Sequence, residues 1–402
     1  MSVFSGLYKV PLSVPYWDRA TYRAISTSLF SGRLIRGPGV DELRSLILDR
    51  LGVEQAVPCG SGSLALEIAL RLCGVRPGDE VVIPTFCCTS IVRPVYAIGA
   101  RPVLADSGED LNVTAGTIEP VLTKKTRAIV VPHLFGNPAD IRTIIDLAHV
   151  RDIRIIDDAA QALGATSDGQ PAGSFGDAGV LSFGSEKICS GLGGGVLLAR
   201  RRNLLDGGAA LDAPRFSEVL RGLLSALVWR RWRRWTLPLQ SILNRRGNTG
   251  PDSPPASYRR EAMANVNAAV AAALVRTLAK NIAARRARVQ IYRDVLGASE
   301  GLSLVPHRQG SACLTQVVRV LPKSRRDDAS TEVIAALGKA GYEVQGSYVP
   351  IHLLSHYRRM ARRLPYAERV WPDLVELPCD PEVSFQHVAR IAAIVKQVTR
   401  SR

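Results

Sequence analysis

Short apolar runs alternate with helical segments along the first half of the chain, and this alternation limits the fold more than any other feature. The five apolar runs are predicted strands: Val81–Ile83, Pro102–Leu104, Ala128–Val131, Ile153–Ile156 and Val180–Phe183. One segment before the first strand, 63–72, and three segments between strands, 89–98, 117–121 and 141–149, have helical spacing. Such an alternation is typical of a parallel sheet with helices on both faces. The sequence therefore predicts an α/β fold whose active groups lie at the carboxyl ends of the strands.

The chain is long enough for more than one domain. Its 402 residues are 46% hydrophobic, so it can bury a full core. We expect a large domain over 1–210, a basic helical insertion over 211–257 and a smaller mixed α and β domain over 258–402. Residues 11–31 are expected to be turn-rich. Further elements are predicted by the apolar spacing: helices at 40–51, 267–296 and 388–398, and strands at 314–321 and 342–344.

Three groups of polar residues follow or precede these elements and carry related chemistry. Lys187 lies on the loop beyond the strand 180–183, and its amine can form a Schiff base with an aldehyde. Asp158 follows the strand 153–156, where a carboxylate can hold a pyridine nitrogen protonated. The Gly-Ser-Gly-Ser run at 60–63 opens a helix, and helix N-termini bind phosphate. Alone, these features could be a solvated lysine, a strand end and a helix cap. Together they predict a pyridoxal phosphate enzyme.

The order of these groups resembles the DegT/StrS family of sugar aminotransferases, which are fold-type-I pyridoxal phosphate enzymes. The likeness extends over most of the chain and implies an α/β fold with a mainly parallel sheet in the large domain. The matching segments are Ser-Gly-Ser at 61–63, Pro-Gly-Asp-Glu-Val-Val-Ile-Pro-Thr-Phe at 77–86, Gly-Ala-Arg-Pro-Val at 99–103, His-Leu-Phe-Gly-Asn-Pro-Ala-Asp at 133–140, Asp-Asp-Ala-Ala-Gln-Ala at 157–162, Gly-Ser-Phe-Gly-Asp at 173–177, Leu-Ser-Phe at 181–183 with Lys187, and Tyr-Val-Pro-Ile-His at 348–352.

The resemblance assigns expected roles to individual residues. Lys187 would bond to the cofactor and move protons, and Asp158 would pair with the pyridine nitrogen. Gln161 would lie beside the cofactor ring, near its phenolic oxygen. His352 would lie near the substrate mouth, with an ordinary structural histidine as an equal alternative. Three further residues would bind the phosphate: Gly62, Ser63 and Ser182.

Four positions depart from the family pattern. Cys88 stands where relatives commonly place an aromatic ring against the cofactor, so it can touch the ring without stacking as broadly. Ile188 follows the lysine where relatives usually have Asn, and Gly193 replaces a common Glu. Arg260 aligns loosely with an Asn that reaches the phosphate of a neighbouring subunit, and an arginine could serve there as a charged ligand. These departures bear on substrate identity and rate more than on cofactor binding.

The resemblance implies amino transfer in two halves. An amino acid, expected to be glutamate, gives its amine to the cofactor, which then aminates a keto group on a nucleotide-linked sugar. A homodimer is expected because relatives share their sites across the subunit boundary. A sugar dehydratase on the same scaffold is one alternative, although such enzymes typically replace the lysine by His. A cofactor-binding regulator or scaffold without turnover is another, suggested by Cys88, Ile188 and Gly193.

Positive charge is concentrated in one part of the chain. The net charge is +16, and residues 200–260 contain 13 Arg against four acidic residues. Within this part, residues 216–243 place leucines at helical spacing before Trp-Arg-Arg-Trp-Arg-Arg-Trp at 229–235. Peripheral membrane contact through 216–243 is one interpretation, and packing on another subunit or on the chain's own domain is a second. A nucleic-acid partner is not expected, because no DNA- or RNA-reading motif accompanies the charge.

The remaining composition suggests where the protein works. No run approaches the roughly 18 apolar residues of a spanning helix, and residues 1–20 do not read as a signal peptide. We therefore expect a cytoplasmic protein, with membrane association on the cytoplasmic face left open. Seven scattered Cys residues without a Cys-x-x-Cys pair are interpreted as reduced thiols, and no metal site is expected.

Overall fold

A seven-stranded sheet forms the centre of the molecule. The computed structural model describes residues 10, 11, 13, 15–200, 211–228, 258–322, 329–360 and 362–400. Nine strands precede residue 200: β1 Gln55–Cys59, β2 Glu80–Pro84, β3 Arg101–Ala105, β4 Thr126–Pro132, β5 Arg154–Asp158, the short hairpin β6 Thr166–Ser167 and β7 Gln170–Pro171, β8 Ala178–Ser182 and β9 Gly195–Ala199. The large sheet has the order β1-β9-β8-β5-β4-β2-β3. Strand β9 runs antiparallel to both neighbours, and the other pairs are parallel. The five strands predicted from sequence are confirmed.

Helices cover both faces of this sheet, as the alternation predicts. Six of them lie in the first part of the chain: α1 Arg19–Phe30, α2 Gly39–Leu51, α3 Gly62–Leu72, α4 Val92–Ala97, α5 Ala115–Ile118 and α6 Ile141–His149. In β4, Val130 packs into the core under α3 and α4, whereas Ile129 and Val131 pack into the core under α5 and α6. Both faces of the strand are buried, which explains its continuous apolar run.

The prediction of a turn-rich stretch at 11–31 is wrong for 19–30, which forms α1. Asp18 caps this helix, because its Oδ1 accepts a hydrogen bond from the Thr21 N–H at 2.9 Å. The buried face is short and partly polar, with Thr21, Ile25 and Ser28 turned inward. Because α1 packs on the alanine-rich helix α8, small side chains suffice there and leave a weak apolar pattern.

The C-terminal half combines a four-stranded antiparallel sheet with helices. Its helices are α7 at 216–228, α8 Asn265–Arg276, α9 Leu278–Leu296, α10 Ala329–Lys339, α11 Pro365–Val370 and α12 Phe385–Arg400. The strands are β10 Leu302–Leu304, β11 Thr315–Val320, β12 Gln345–Gly346 and β13 Leu374–Pro378, in the order β10-β11-β13-β12. The strand predicted at 342–344 is wrong, because Tyr342 makes an isolated bridge with Val10 and the ladder begins at Gln345.

Helix α8 bears on the predicted domain limits. It packs on α1 and α2, in the core that also holds Val196 and Leu198 of β9. The helical segment predicted over 267–296 breaks at Thr277, whose φ of −99° and ψ of 7° separate α8 from α9. The domain boundaries at 210 and 257 remain a prediction. Helix α8, which that prediction assigns to the smaller domain, lies against the large sheet.

Candidate active site

A cavity of about 290 Å³ opens at the carboxyl ends of the central strands. The ladder aligns these ends, because Pro132 of β4 pairs with Asp158 of β5, and Asp158 pairs with Val180 of β8. The turn before α3 and the loops after β2 and β8 complete the walls. Seven of the nine site residues predicted from sequence line it: Gly62, Ser63, Cys88, Asp158, Gln161, Ser182 and Lys187.

One end of the cavity is built for an anion. Ser61 caps α3, because its Oγ accepts a hydrogen bond from the Leu64 N–H at 3.1 Å. The first N–H groups of α3 have no partner within the helix and carry the positive end of its dipole. A Cβ on Gly62 would lie 3.1 Å from the Cβ of Ser182, and Gly194 has a φ of +109° against Met263. Small residues thus bring the backbone and the Ser182 hydroxyl close together, which suits a phosphate group.

The substitution Gly62→Ala is expected to raise the Kd for pyridoxal phosphate about tenfold or more, because the new methyl group forces Ser182 away from the cradle. Equilibrium dialysis of the cofactor measures this Kd. The matched control is Gly338→Ala in α10, where a Cβ meets nothing within 4 Å. We expect the control to bind the cofactor as the natural chain does, and equal Kd values for both variants would contradict the assignment of the cradle.

The adjacent residues Asp157 and Asp158 have different tasks. Asp157 is fully buried, and its Oδ2 accepts hydrogen bonds from the N–H groups of Gly173 and Phe175 at 2.7 and 2.9 Å. His133 Nδ1 accepts a bond from the Ala139 N–H, so its Nε2 carries the proton and donates to Asp157 at 2.7 Å. This carboxylate therefore holds the loops after β4 and β7 in place.

Asp158 lines the cavity instead. Its Oδ1 accepts a hydrogen bond from the Ala160 N–H at 3.0 Å, which fixes the side chain at the end of β5. Burial raises the pKa of the carboxyl group, while the Ala160 N–H and the nearby positive charge of Lys187 act in the opposite direction. A protonated ring nitrogen in the cavity would also favour the ionised carboxylate.

Gln161 is held by two partners across the cavity wall. Its Oε1 accepts a bond from the Phe135 N–H at 2.9 Å, and its Nε2 donates to the Tyr348 hydroxyl at 3.1 Å. The Tyr348 ring stacks on Phe135 at 5.9 Å and meets Phe86 edge-on at 6.0 Å. Burial raises the Tyr348 pKa well above its ordinary value, so the phenol stays neutral and can donate its own proton. Tyr348 belongs to the Tyr-Val-Pro-Ile-His segment at 348–352, but the sequence did not predict its contact with Gln161.

The loop that carries Lys187 is fixed on both sides. The Lys187 N–H donates to the Gly184 carbonyl at 3.3 Å. Asn281 Nδ2 of α9 donates to the carbonyl of Ile188 at 3.0 Å, and Trp17 Nε1 donates to the carbonyl of Ser190 at 2.8 Å. The Ile188 side chain is buried in the apolar core. Position 188, for which the family resemblance implies Asn, therefore carries a side chain that packs in the apolar core.

Helix α9 connects this loop to the C-terminal half of the chain. Arg285 is almost fully buried, and its Nε donates to Asn281 Oδ1 at 2.8 Å. The same guanidinium donates to the Leu314 carbonyl at 2.8 Å and forms an ion pair with Asp380. These residues were missed from sequence, since no local pattern marks a contact between elements that are far apart along the chain.

Two predicted site residues lie outside the cavity lining. Arg260 forms an ion pair with the buried Glu67 of α3, so its guanidinium is held on the outer side of that helix. His352 is buried, with Nδ1 at 2.7 Å from Thr85 Oγ1 and Nε2 at 3.2 Å from Glu368 Oε1. Both ring nitrogens of His352 therefore have partners within the protein, as expected for an ordinary structural histidine. A role of Arg260 toward a neighbouring subunit stays a prediction.

Cys88 does line the cavity, at the position where relatives commonly place an aromatic ring. Its Sγ lies 3.1 Å from Ser90 Oγ, and the residue is partly exposed. A thiol covers less of a cofactor ring than an aromatic side chain does. Within the part of the chain that the structure describes, no group of three or more His, Cys, Asp and Glu side chains is placed to hold a metal ion.

The residues present fit pyridoxal phosphate. The cavity offers a phosphate cradle at α3, a carboxylate at the end of β5 and an amine at Lys187, which are the three groups that this cofactor requires. Fold and site together define a pyridoxal phosphate-dependent aminotransferase of fold type I.

The chain belongs to the DegT/DnrJ/EryC1/StrS aminotransferase family, whose model matches residues 16–213 and 249–396. It is 28% identical over 375 residues to a GDP-perosamine synthase of Caulobacter vibrioides, with 90% of each chain covered. It is 30% identical over 350 residues to a UDP-N-acetyl-3-dehydro-alpha-D-glucosamine 3-aminotransferase of Acidithiobacillus ferrooxidans, with 86% of this chain and 85% of the relative covered.

Solved structures agree with this assignment. The aminotransferase TlmJ from Streptoalloteichus hindustanus superimposes with a TM-score of 0.77 at 27% identity, over 98% of this chain and 99% of the other. DesV of S. venezuelae, solved in complex with a ketimine intermediate, gives a TM-score of 0.76 at 26% identity, over 97% and 99% of the two chains. The expected family, fold class and cofactor are therefore confirmed.

Proposed function

We propose that this aminotransferase moves an amino group from an amino acid, expected to be glutamate, to a keto group of a nucleotide-linked sugar. The observation that carries the proposal is the meeting of Lys187, Asp158 and the α3 cradle in one cavity. The relatives named above support the sugar substrate, since one is a GDP-sugar synthase and the other acts on a UDP-sugar.

Each cavity residue has a definite task in this scheme. Bound pyridoxal phosphate supplies an aldehyde and an electron-withdrawing ring. Lys187 would hold the cofactor through its Nζ and move protons at the reacting carbons. Asp158 would keep a proton on the ring nitrogen, and Gln161, which lines the same cavity, would lie beside the ring. Gly62, Ser63 and Ser182 would bind the phosphate.

The retained lysine separates this proposal from the dehydratase. By the family resemblance, a dehydratase of the same fold would carry His in place of that lysine, whereas Lys187 lines the cavity here. A cofactor-binding scaffold without turnover would keep the same two groups, so it differs from the proposal in that its bound cofactor would not respond to an amino acid. Cys88 lines the cavity with Lys187 and Asp158, and Ile188 is buried in the core.

The proposal also includes a homodimer in the cytoplasm. The family resemblance implies sites that are shared across a subunit boundary, and Arg260 would then serve the phosphate of the neighbouring site. Peripheral membrane contact through 216–243 is a separate proposal, and residues 216–228 of that segment are within the described part of the chain.

Absorption spectroscopy tests the reaction directly. The protein loaded with pyridoxal phosphate is expected to absorb as a yellow species, and glutamate is expected to convert it to the amine form. Keto-sugar nucleotides, tried one at a time, should then restore the first spectrum. A protein whose spectrum responds to no amino acid would contradict the aminotransferase. A response to amino acids but to no keto-sugar nucleotide would contradict the sugar substrate.

A further inference from the structure

Helix α7 lies in a part of the chain that the family model does not match. The match ends at residue 213 and resumes at 249. The flanking backbone lies side by side, because the Asp212 N–H donates to the Arg260 carbonyl at 2.9 Å and the Ala262 N–H donates to the Asp212 carbonyl at 2.8 Å. The residues that flank the unmatched part on its two sides therefore lie next to each other in the structure.

One face of α7 packs on the protein and another is apolar and exposed. Leu223 is buried and Leu227 is partly buried, both against the core that includes α2 and α8. Phe216, Leu224 and Val228 are exposed by 57%, 53% and 51%. Leu220 continues their four-residue spacing but is partly buried and also packs against that core. The four residues line one shallow groove along the helix, and we call them the outer stripe.

Two arginines lie next to the outer stripe on the same part of the chain. Arg221 lines the same shallow groove, and Arg215 is exposed at the start of the helix. Glu218, the acidic residue of this helix, is paired with Arg259 at 3.0 Å and lies 4.0 Å from Arg215. In sequence, the chain continues after Val228 with Trp-Arg-Arg-Trp-Arg-Arg-Trp. An exposed apolar stripe next to arginines is the pattern of a helix that lies in the plane of a membrane surface.

We propose that the outer stripe docks on an anionic lipid surface. Apolar side chains enter the boundary between headgroups and acyl chains, and arginines attract the negative headgroups. A second copy of the chain fits less well, because residues 200–260 contain 13 Arg against four acidic residues in each copy, and like charges repel. None of the described helices is long and apolar enough to cross a bilayer.

Vesicle co-sedimentation of the full-length, cofactor-loaded protein tests the proposal. We expect binding to vesicles of phosphatidylglycerol and phosphatidylcholine, and little binding to phosphatidylcholine alone. The double variant Leu224→Glu, Val228→Glu is expected to lower the partition coefficient for anionic vesicles at least about tenfold. The matched control is Val150→Glu, which places the same charge at an apolar residue that is 75% exposed after α6, and it should bind as the natural chain does.

Two further measurements distinguish lipid docking from a contact between copies of the chain. Amino transfer in solution by the double variant is expected to be unchanged, since the outer stripe lies outside the cavity lining. The mass in solution, measured by light scattering, should not change either. A double variant with half the mass of the natural protein would show an interface between copies and overturn the proposal. Absence of sedimentation with anionic vesicles, or equal binding by the double variant, would also overturn it.

Discussion

The variant Lys187→Ala is expected to lose amino transfer by a factor of at least about 10⁴ while remaining folded. Lys187 supplies both the amine that holds the cofactor and the group that moves protons, so one substitution removes two functions. The surrounding loop should persist, because its backbone is held by Asn281 and Trp17 rather than by the lysine side chain. Steady-state turnover with the donor and acceptor identified by spectroscopy measures the loss.

Cofactor retention makes this experiment specific. The cradle at α3 is untouched in Lys187→Ala, so pyridoxal phosphate is expected to bind without a covalent link. The matched control is Lys280→Ala, at an exposed position of α9, and it should turn over normally. Turnover by Lys187→Ala at the rate of the control would contradict the assigned role of this lysine.

The variant Asp158→Asn is expected to lower kcat/KM by about 10²- to 10⁴-fold. The amide keeps an oxygen that can accept the Ala160 N–H bond, so the end of β5 should retain its shape. It cannot hold a proton on a ring nitrogen as a carboxylate does, so the cofactor loses electron-withdrawing power. Single-turnover spectroscopy with the amino donor separates this slow chemistry from weak cofactor binding.

A second carboxylate, at the opposite end of β5, provides the control. Asp177 accepts a hydrogen bond from the Ile155 N–H at 2.9 Å and pairs with Arg154, at the amino end of the strand. Asp177→Asn is expected to cost some stability but to leave turnover per folded molecule nearly unchanged. If the two variants lose turnover equally, the effect of Asp158 is structural and its proposed contact with the ring is wrong.

Much of the fold could be predicted because its central strands are buried on both faces. Runs such as 128–131 in β4 are apolar without interruption, which identifies them as strands in the sequence. Asp158 and the Lys187 loop follow the carboxyl ends of such strands. The helix α1 was missed because its partner α8 is rich in alanine and demands few large side chains. The prediction of a strand at 342–344 was wrong. Tyr342 and Val344 are buried, but burial alone does not distinguish a strand from an irregular segment.

The sequence predicts site residues that lie directly after a strand or at the start of a helix. It does not predict contacts between elements that are far apart along the chain. The turn before α3, Asp158 and Lys187 each follow a recognisable strand or open a helix. The bond from Gln161 to Tyr348 joins residues 187 positions apart, and the bond from Asn281 to Ile188 joins residues 93 apart. For His352 the sequence leaves two possibilities open, a place near the substrate mouth and an ordinary structural role, because its bonds to Thr85 and Glu368 arise only once the chain is folded.

Borohydride reduction of the cofactor-loaded protein, followed by peptide mass mapping, tests the central claim most directly. We predict that the pyridoxyl group is found on Lys187, in the peptide that contains the loop after β8. A modified lysine at any other position, or no modified peptide from protein that has bound the cofactor, would contradict the assignment.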